Sequence, residues 1–370
     1  MGKKVRVGII LGGKSAEHEV SIQSAKNIIE AIDKDKYDVI PIAIDRRGRW
    51  YLKEGTGFLG HADDPAGIQL EQEHEKTGII PGERSRQFIN LSTGDRPAGI
   101  DVAFPVLHGP FGEDGTVQGL LKLANIPFVG ADILGSAIGM DKDVMKRLLR
   151  EAGIPIARFI TLTRSTAKNI GFQDVEGSLG LPVFVKPANL GSSVGISRVT
   201  CQEAYHEAIE VALAYDHKIL IEEEIKGREI ECSVLGNEEP IVSLPGEIRP
   251  RHEFYSYRAK YLDDHGALLE IPARLPEGIT REIQACALKA FQVLCCEGMA
   301  RVDFFLRDNN EIVVNEINTI PGFTKISMYP KLWEKSGITY KDLIDRLINL
   351  AFERQSRGRR LKTSLMGDPD

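Results

Sequence analysis

The sequence of 370 residues lacks the features that mark membrane, secreted and nucleic-acid-binding proteins. No apolar run approaches the roughly 20 residues that span a bilayer, and the chain begins with a short strand pattern rather than a signal-peptide core. Lysine and arginine (47) do not outnumber aspartate and glutamate (53), and a net charge of −6 argues against nucleic-acid binding. We therefore expect a cytoplasmic protein without membrane or nucleic-acid partners.

Cysteine is scarce, and its spacing excludes the usual metal and redox motifs. The five cysteines are odd in number and form no C-x-x-C pair, so neither a zinc site nor a disulfide framework is indicated. We expect them to be reduced thiols in the core. Hydrophobic (42%) and charged (27%) residues are in the range of a globular chain, and the length allows two or three domains.

The first 45 residues show the pattern of a β-α-β unit. Residues 5–11 form a nearly continuous apolar run, residues 21–32 carry apolar side chains at helical spacing, and residues 37–44 form a second strand. We therefore predict a doubly wound parallel-sheet α/β domain at residues 1–140. Ligands of this architecture bind at the carboxyl edge of the sheet, where we expect Glu17, Ser21 and His108. Glu17 and Ser21 could instead cap a helix, and His108 could be a structural group.

Residues 8–15, G-I-I-L-G-G-K-S, formally match the phosphate-loop pattern G-x-x-x-x-G-K-S. The positions between the glycines belong to a buried strand, however, which leaves only Gly12, Gly13 and Lys14 to contact a phosphate. We interpret this segment as a strand-to-helix turn, and a P-loop NTPase remains the alternative.

The pattern changes after residue 140 to that of two α+β units, which we place at residues 141–225 and 226–360. In the first unit, the loop N-L-G-S-S-V-G at 189–195 is rich in donors and can fold over phosphates as a lid. Lys142 and Lys186 flank it, which favours a polyanion site over a plain hairpin loop. The run of three acids at 222–224 is either solvated or offers acceptors to a nucleoside, with Ile225 under the base.

An acidic hairpin dominates the second unit. Residues 302–306 and 311–317 alternate around apolar side chains and are separated by a polar turn, which predicts two antiparallel strands. Glu316 and Asn318 share one face, and Asp303 can meet them across the ladder. These oxygens suit Mg²⁺ that carries a nucleotide phosphate, although the acids could also be the exposed face of an ordinary hairpin. Arg301 could clamp a phosphate or an oxyanion, together with the Gly322 N–H.

The motifs, in their order along the chain, resemble the ATP-grasp superfamily and, within it, the D-alanine–D-alanine ligases. The resemblance extends over about residues 5–350 and rests on G-G-K-S-A-E-H-E-V-S at 12–21, H-G-x-x-G-E-D-G at 108–115, M-D-K at 140–142, V-K-P-A-N-x-G-S-S-V-G at 185–195, G-R-E-I-E-C at 227–232, K-Y at 260–261, R-V-D-F at 301–304 and N-E-I-N-T-x-P-G-F-T at 315–324. It implies an ATP-grasp fold of two α+β subdomains after the N-terminal domain. It also implies a homodimer that ligates two D-alanine molecules with ATP, through a D-alanyl phosphate, for peptidoglycan precursor synthesis.

The resemblance also implies roles for individual residues. Two Mg²⁺ ions, or Mn²⁺ in their place, would be held by Asp303, Glu316 and Asn318. ATP would be bound by phosphate contacts from Lys142 and Lys186, by the lid residues Ser192, Ser193 and Val194, and by nucleoside contacts from Glu222, Glu223, Ile225, Glu229 and Asn315. The first D-alanine would contact Glu17 and His108, and Glu17 would be linked to Ser192 and Tyr261. The second D-alanine would contact Lys260 and Ser327, and Arg301 and Gly322 would stabilise the oxyanion. Arg258 and Glu223 depart from the residues that the family usually carries.

Overall fold

The computed structural model describes residues 3–52, 76–83, 85–97, 99–250 and 267–362. Lys260 and Tyr261, both predicted site residues, and Arg258 lie outside the described residues. The helices are α1 His18–Ala31, α2 Thr116–Leu123, α3 Ile133–Met140, α4 Lys142–Glu151, α5 Phe172–Leu179, α6 Gln202–Tyr215, α7 Glu277–Val293, α8 Met328–Lys335 and α9 Tyr340–Arg359.

The strands follow the predicted alternation of elements. They are β1 Val5–Gly12, β2 Tyr37–Ile44, β3 Trp50–Leu52, β4 Thr77–Ile79, β5 Phe88–Asn90, β6 Val102–Pro105, β7 Phe159–Thr163, β8 Val183–Pro187, β9 Ser197–Val199, β10 Lys218–Glu223, β11 Arg228–Gly236, β12 Ile241–Val242, β13 Gly246–Pro250, β14 Ala267–Glu270, β15 Gly298–Leu306 and β16 Ile312–Asn318.

The first sheet has the order β3-β2-β1-β6, in which β1 runs parallel to both β2 and β6. Helix α1 and the C-terminal helices α8 and α9 cover one face, and α2 covers the other. Helices on both faces explain why β1 is apolar almost throughout: Ile9, Ile10 and Leu11 are completely buried. The predicted doubly wound arrangement is therefore confirmed. Beyond β6, a single parallel bridge joins Phe128 to Ala103.

Two antiparallel sheets follow. The second sheet has the order β7-β10-β8-β9 and packs against α5 and α6. The third sheet has the order β14-β13-β11-β15-β16, with β12 paired to β11, and packs against α7 and α4. This is the α+β pattern expected after residue 140. A parallel bridge between Ile156 and Val314 joins the segment before β7 to the third sheet.

The cysteines occupy both core and surface positions. All five cysteines are free thiols, but only Cys232 and Cys296 are buried; Cys201 and Cys295 are exposed, so the expectation of core positions is wrong for them. None of the helices in the described ranges is both long and apolar enough to cross a membrane.

Candidate active site

The acidic hairpin forms as predicted and aligns its acids across the ladder. β15 and β16 are antiparallel, with Asp303 directly opposite Glu316 and Arg301 opposite Asn318. An irregularity in the register falls between Asp303 and Phe304, which increases the local twist beside the acids. The Asn318 side-chain amide donates to the Asp303 Oδ2 atom at 2.9 Å. The three predicted metal ligands therefore lie together on one face.

Arg301 lies between two acidic strands. Its Nε and Nη2 atoms donate to the two carboxylate oxygens of Asp303 at 2.7 Å each. Its Nε is also 2.8 Å from the Glu231 carboxylate, and Glu231 lies opposite Asp303 on β11. Two carboxylates thus fix the orientation of the planar guanidinium group.

A cavity of about 380 Å³ opens over this hairpin. It brings together ten of the predicted site residues, namely Glu17, Ser192, Glu229, Arg301, Asp303, Asn315, Glu316, Asn318, Gly322 and Ser327. Glu113, Glu231 and Lys331 line it as well and were not predicted. The side chains come from the three larger sheets or the loops beside them, so the cavity lies where the three parts of the fold meet.

The donor chemistry on the hairpin fits a hard cation. Two carboxylates and one amide supply oxygen ligands of the kind that Mg²⁺ binds, and the protein's own cations, Arg301 and Lys142, now contact those carboxylates. Within the described ranges, no group of three or more histidine, cysteine, aspartate or glutamate residues could hold a metal ion. A metal here would therefore depend on Asp303, Glu316 and the amide of Asn318.

A buried lysine cluster adjoins the hairpin. Lys142, at the start of α4, donates to the Leu190 carbonyl at 2.7 Å and lies 3.6 Å from the Glu316 carboxylate. Lys186, at the end of β8, forms an ion pair with Glu222. A third lysine, Lys146, pairs with the other oxygen of the same carboxylate. Burial lowers the pKa of Lys146 to about 7 and that of Lys186 well below its usual range, whereas the Glu316 carboxylate acts to raise both pKa values.

The loop after β8 reaches across to the N-terminal sheet. Ser192 and Ser193 both have positive φ values, 54° and 61°, which present the loop's polar groups in a tight turn. The Ser192 hydroxyl donates to the Glu17 carboxylate. Glu17 is at the N-cap position of α1 but makes no capping hydrogen bond, so the capping alternative is not supported. Ser21 instead is structural, because its hydroxyl accepts from the Gly12 N–H at 2.8 Å and donates to the Val106 carbonyl.

Two side chains of the N-terminal part hold the loop that contains Gly322. His108 Nδ1 lies 3.0 Å from the Ile320 carbonyl, and the Ile320 N–H donates to Glu113 at 3.1 Å. Burial lowers the pKa of His108, so the neutral ring carries its proton on Nδ1 and presents the lone pair of Nε2. That Nε2 atom has no hydrogen-bond partner among the described residues. Burial and the nearby Glu17 raise the pKa of Glu113 to about 8.

One glycine in this region is required by its conformation and its neighbours. Gly109 has a φ of +71°, and a Cβ atom there would lie 2.9 Å from the Glu17 Oε2 atom. Its N–H donates to Glu113 at 2.7 Å. A side chain at this position would displace Glu17 from the cavity.

The predicted nucleoside residues divide into two groups. Glu229 and Asn315 line the cavity, and Ile225 is buried in a small cluster with Ala157 and Val313. The Glu223 carboxylate, in contrast, accepts from Arg158 Nε at 2.8 Å and from its backbone N–H. Its side chain is therefore held away from the cavity. Its backbone N–H donates to the Arg158 carbonyl at 3.0 Å, which leaves its backbone carbonyl to contact a base.

The phosphate-loop alternative finds no support at its key residue. The Lys14 Nζ atom lies 4.2 Å from the centre of the Phe111 ring, a cation–π contact, and residues 9–11 are strand, as predicted.

Ser327 lines the cavity and accepts from the Thr324 N–H at 3.0 Å. Val194 and Ser193 continue the loop that Lys142 contacts through Leu190.

Three important residues were not found from the sequence. Lys146 follows Lys142 by one helical turn, so the i, i+4 spacing on α4 was a usable signal. Glu231 follows Glu229 by two residues on one strand face. Glu113 gives no such signal, because nothing local indicates its contact with Ile320, 207 residues away.

Family models and related proteins match this chain over most of its length. The family model described as D-ala D-ala ligase N-terminus matches residues 6–131, and the one described as D-ala D-ala ligase C-terminus matches residues 148–349. The D-alanine–D-alanine ligase of Shouchella clausii is 55% identical over 99% of both chains. The structure of the D-alanine-D-alanine ligase from Coxiella burnetii is 41% identical with a TM-score of 0.86 and covers 97% of each chain.

A third relative has a different second substrate in its name. The VanG D-Ala:D-Ser ligase of Enterococcus faecalis is 36% identical with a TM-score of 0.83, over 94% of this chain and all of that one. These structural neighbours have the ATP-grasp fold, so the fold predicted from the sequence is confirmed.

Proposed function

Because this chain belongs to the D-alanine–D-alanine ligase family, whose ADP-forming enzymes supply D-alanyl-D-alanine for peptidoglycan precursors, we propose that it ligates two D-alanine molecules through a D-alanyl phosphate. ATP is the energy source in this family. The observation that best supports the proposal is the single cavity in which Asp303 and Glu316 face Glu17 and the lid residue Ser192. Such a cavity can hold a triphosphate and an amino acid side by side.

Asp303, Glu316 and Asn318 would hold two Mg²⁺ ions, or Mn²⁺, and these ions would neutralise charge on the transferred phosphate. Lys142 and Lys186 would contact the phosphates, and Ser192, Ser193 and Val194 would close over them. Glu222, Glu223, Ile225, Glu229 and Asn315 would surround the nucleoside, with Glu223 contributing only its backbone.

In the first step, a carboxylate oxygen of one D-alanine attacks the γ-phosphorus of ATP, and ADP leaves. Glu17 would accept hydrogen bonds from the ammonium group of that D-alanine, and Ser192 would fix the Glu17 carboxylate. His108 would contact the same substrate through its unoccupied Nε2 atom. The closed lid would exclude water, which would otherwise hydrolyse the acyl phosphate.

In the second step, the amine of the second D-alanine attacks the acyl carbon; a C–N bond forms, the bond to phosphate breaks, and the amine loses a proton. Arg301 and the Gly322 N–H would stabilise the tetrahedral oxyanion, a role worth about 3 kcal/mol per donor in other enzymes. Glu231 would keep Arg301 oriented while Asp303 faces the cations. Lys260 and Ser327 would bind the second carboxylate, and Tyr261 would complete the contact network of Glu17.

Further parts of the proposal come from the resemblance to the family. The chain would divide into domains at 1–140, 141–225 and 226–360, act in the cytoplasm and form a homodimer. The test is a coupled assay of ADP release with Mg²⁺ and D-alanine, repeated with D-lactate or D-serine as the second substrate. We expect D-alanine-dependent ADP release matched by dipeptide formation. Binding of ATP without ADP release would indicate a nucleotide-binding module instead, and preference for D-serine would reassign the acceptor.

A further inference from the structure

Lys146 is a completely buried lysine in α4 that the proposed reaction does not use. Its Nζ atom forms an ion pair with the Oε1 atom of Glu222, while Lys186 forms one with Oε2. The Glu222 carboxylate, itself only 5% exposed, therefore has one lysine on each oxygen.

The balance of charge in this cluster favours an additional anion. Three lysines, Lys142, Lys146 and Lys186, surround two acids, Glu222 and Glu316. Burying a charge is costly unless a partner compensates it. Because the cluster has one more lysine than acids, we expect it to bind a ligand that brings negative charge.

The two lysines on Glu222 differ in their freedom to move. Lys186 ends β8, directly before the loop that contains Ser192, and retains some exposure (7%). Lys146 has none (0%), and its neighbours Met145 and Leu149 on α4 belong to the apolar core under the third sheet. Only Lys186 can turn towards a phosphate in the cavity without unpacking the core.

We propose that Lys146 is a positioning residue of the nucleotide site, acting as the fixed counter-ion of Glu222 so that Lys186 can exchange from Glu222 to the nucleotide phosphates. This rests on the proposed function, which assigns Lys186 to the phosphates. The exchange leaves Glu222 charged and compensated by Lys146. It also frees the Oε2 atom to accept a hydrogen bond from an amino group of the base, which couples recognition of the base to occupancy of the phosphate site.

The test measures phosphate binding separately from base binding. Isothermal titration calorimetry is performed with Mg-tripolyphosphate, Mg-ATP and adenosine on the full chain. In Lys146→Met, moving Lys186 would leave Glu222 buried without a counter-ion, so we expect both polyphosphates to bind about tenfold or more weakly. Lys289→Met is the control, because Lys289 contacts the Ala152 carbonyl just beyond α4 and should leave all three affinities unchanged.

A second pair of variants separates this role from a merely structural one. Glu222→Gln removes the acid that holds Lys186, so Lys146→Met/Glu222→Gln should recover Mg-tripolyphosphate binding to within about threefold of the wild type. Glu222→Gln alone should bind Mg-tripolyphosphate at least as tightly as the wild type and adenosine more weakly. This single variant decides the question if Lys146→Met does not fold.

Three results would overturn the inference: unchanged tripolyphosphate binding in Lys146→Met, no recovery in a folded double variant, or weaker tripolyphosphate binding in Glu222→Gln. A wild-type protein that binds neither Mg-ATP nor Mg-tripolyphosphate would overturn the proposed nucleotide site itself.

Discussion

The hydroxyl of Ser192 donates a hydrogen bond to the carboxylate of Glu17, although 175 residues separate them along the chain. The contact joins the loop after β8 to the N-terminal sheet across the cavity. The group that would hold the first substrate, Glu17, is therefore in direct contact with the lid, the loop at residues 189–195. The same contact links amino-acid binding to the exclusion of water from the phosphate.

Replacement of Ser192 by alanine should weaken both functions of this contact. A hydrogen bond to a charged group contributes about 1.5–3 kcal/mol, so we expect the KM for the first D-alanine to rise about tenfold to a hundredfold. The ratio of ADP to dipeptide should also exceed one, because water reaches the acyl phosphate. Ser165→Ala, in the turn after β7, is the control. A ratio of one in Ser192→Ala would show that this hydroxyl does not help to close the site.

Glu316→Ala should abolish turnover, since Glu316 is the acid opposite Asp303 in the hairpin. Losing a metal ligand removes several kcal/mol of charge stabilisation, which corresponds to a decrease in kcat of about a thousandfold. Glu311→Ala, in the exposed turn of the same hairpin, should keep normal activity. Near-normal kcat in folded Glu316→Ala would refute the assignment of the metal site.

Lys14→Ala distinguishes the two candidate phosphate sites. Lys14 lies against the Phe111 ring, so its removal should change the Kd for Mg-ATP by no more than about twofold. Lys186→Ala should weaken the same binding by at least about tenfold. Calorimetry on both variants measures these Kd values. Weaker binding in Lys14→Ala but not in Lys186→Ala would place the nucleotide at the turn of residues 12–15 instead.

Glu113 should make the stability of the protein depend on pH. Its pKa is raised from 4.5 to about 8 in the folded state, so its contribution to the free energy of unfolding is complete below pH 4.5 and decreases as the pH rises to about 8. Glu113→Gln cannot titrate. The wild type should therefore lose stability relative to this variant between pH 5 and pH 8 in urea unfolding, whereas its stability relative to Glu311→Gln, which keeps Glu113, should not change with pH. A constant difference in unfolding free energy between the wild type and Glu113→Gln across this range would contradict the expectation.

The hairpin could be predicted from the sequence because its alternation of apolar and polar residues fixes which side chains share a face. It does not specify the register, because pairs counted from the turn would place Asp303 opposite Asn315, whereas the irregularity between Asp303 and Phe304 places it opposite Glu316. The Lys146–Glu222 pair could not be predicted, because helical spacing gives the face of α4 but not the strand that packs on it. Likewise, strand pattern placed His108 at a sheet edge, but its partner Ile320 is 212 residues away, and no local signal specifies such a contact.

The hold on Ile320 has a consequence for how substrates reach the site. His108 and Glu113 bind its backbone, the adjacent Phe323 packs edge-on against Phe104, and Arg354 donates to the carbonyls of Phe128 and Gly130. Separating the first sheet from the third would break these contacts and expose a shared apolar core to water. We therefore expect the first and third sheets to stay together while amino acids enter, and dipeptide departs, where the loop that contains Ser192 spans the cavity.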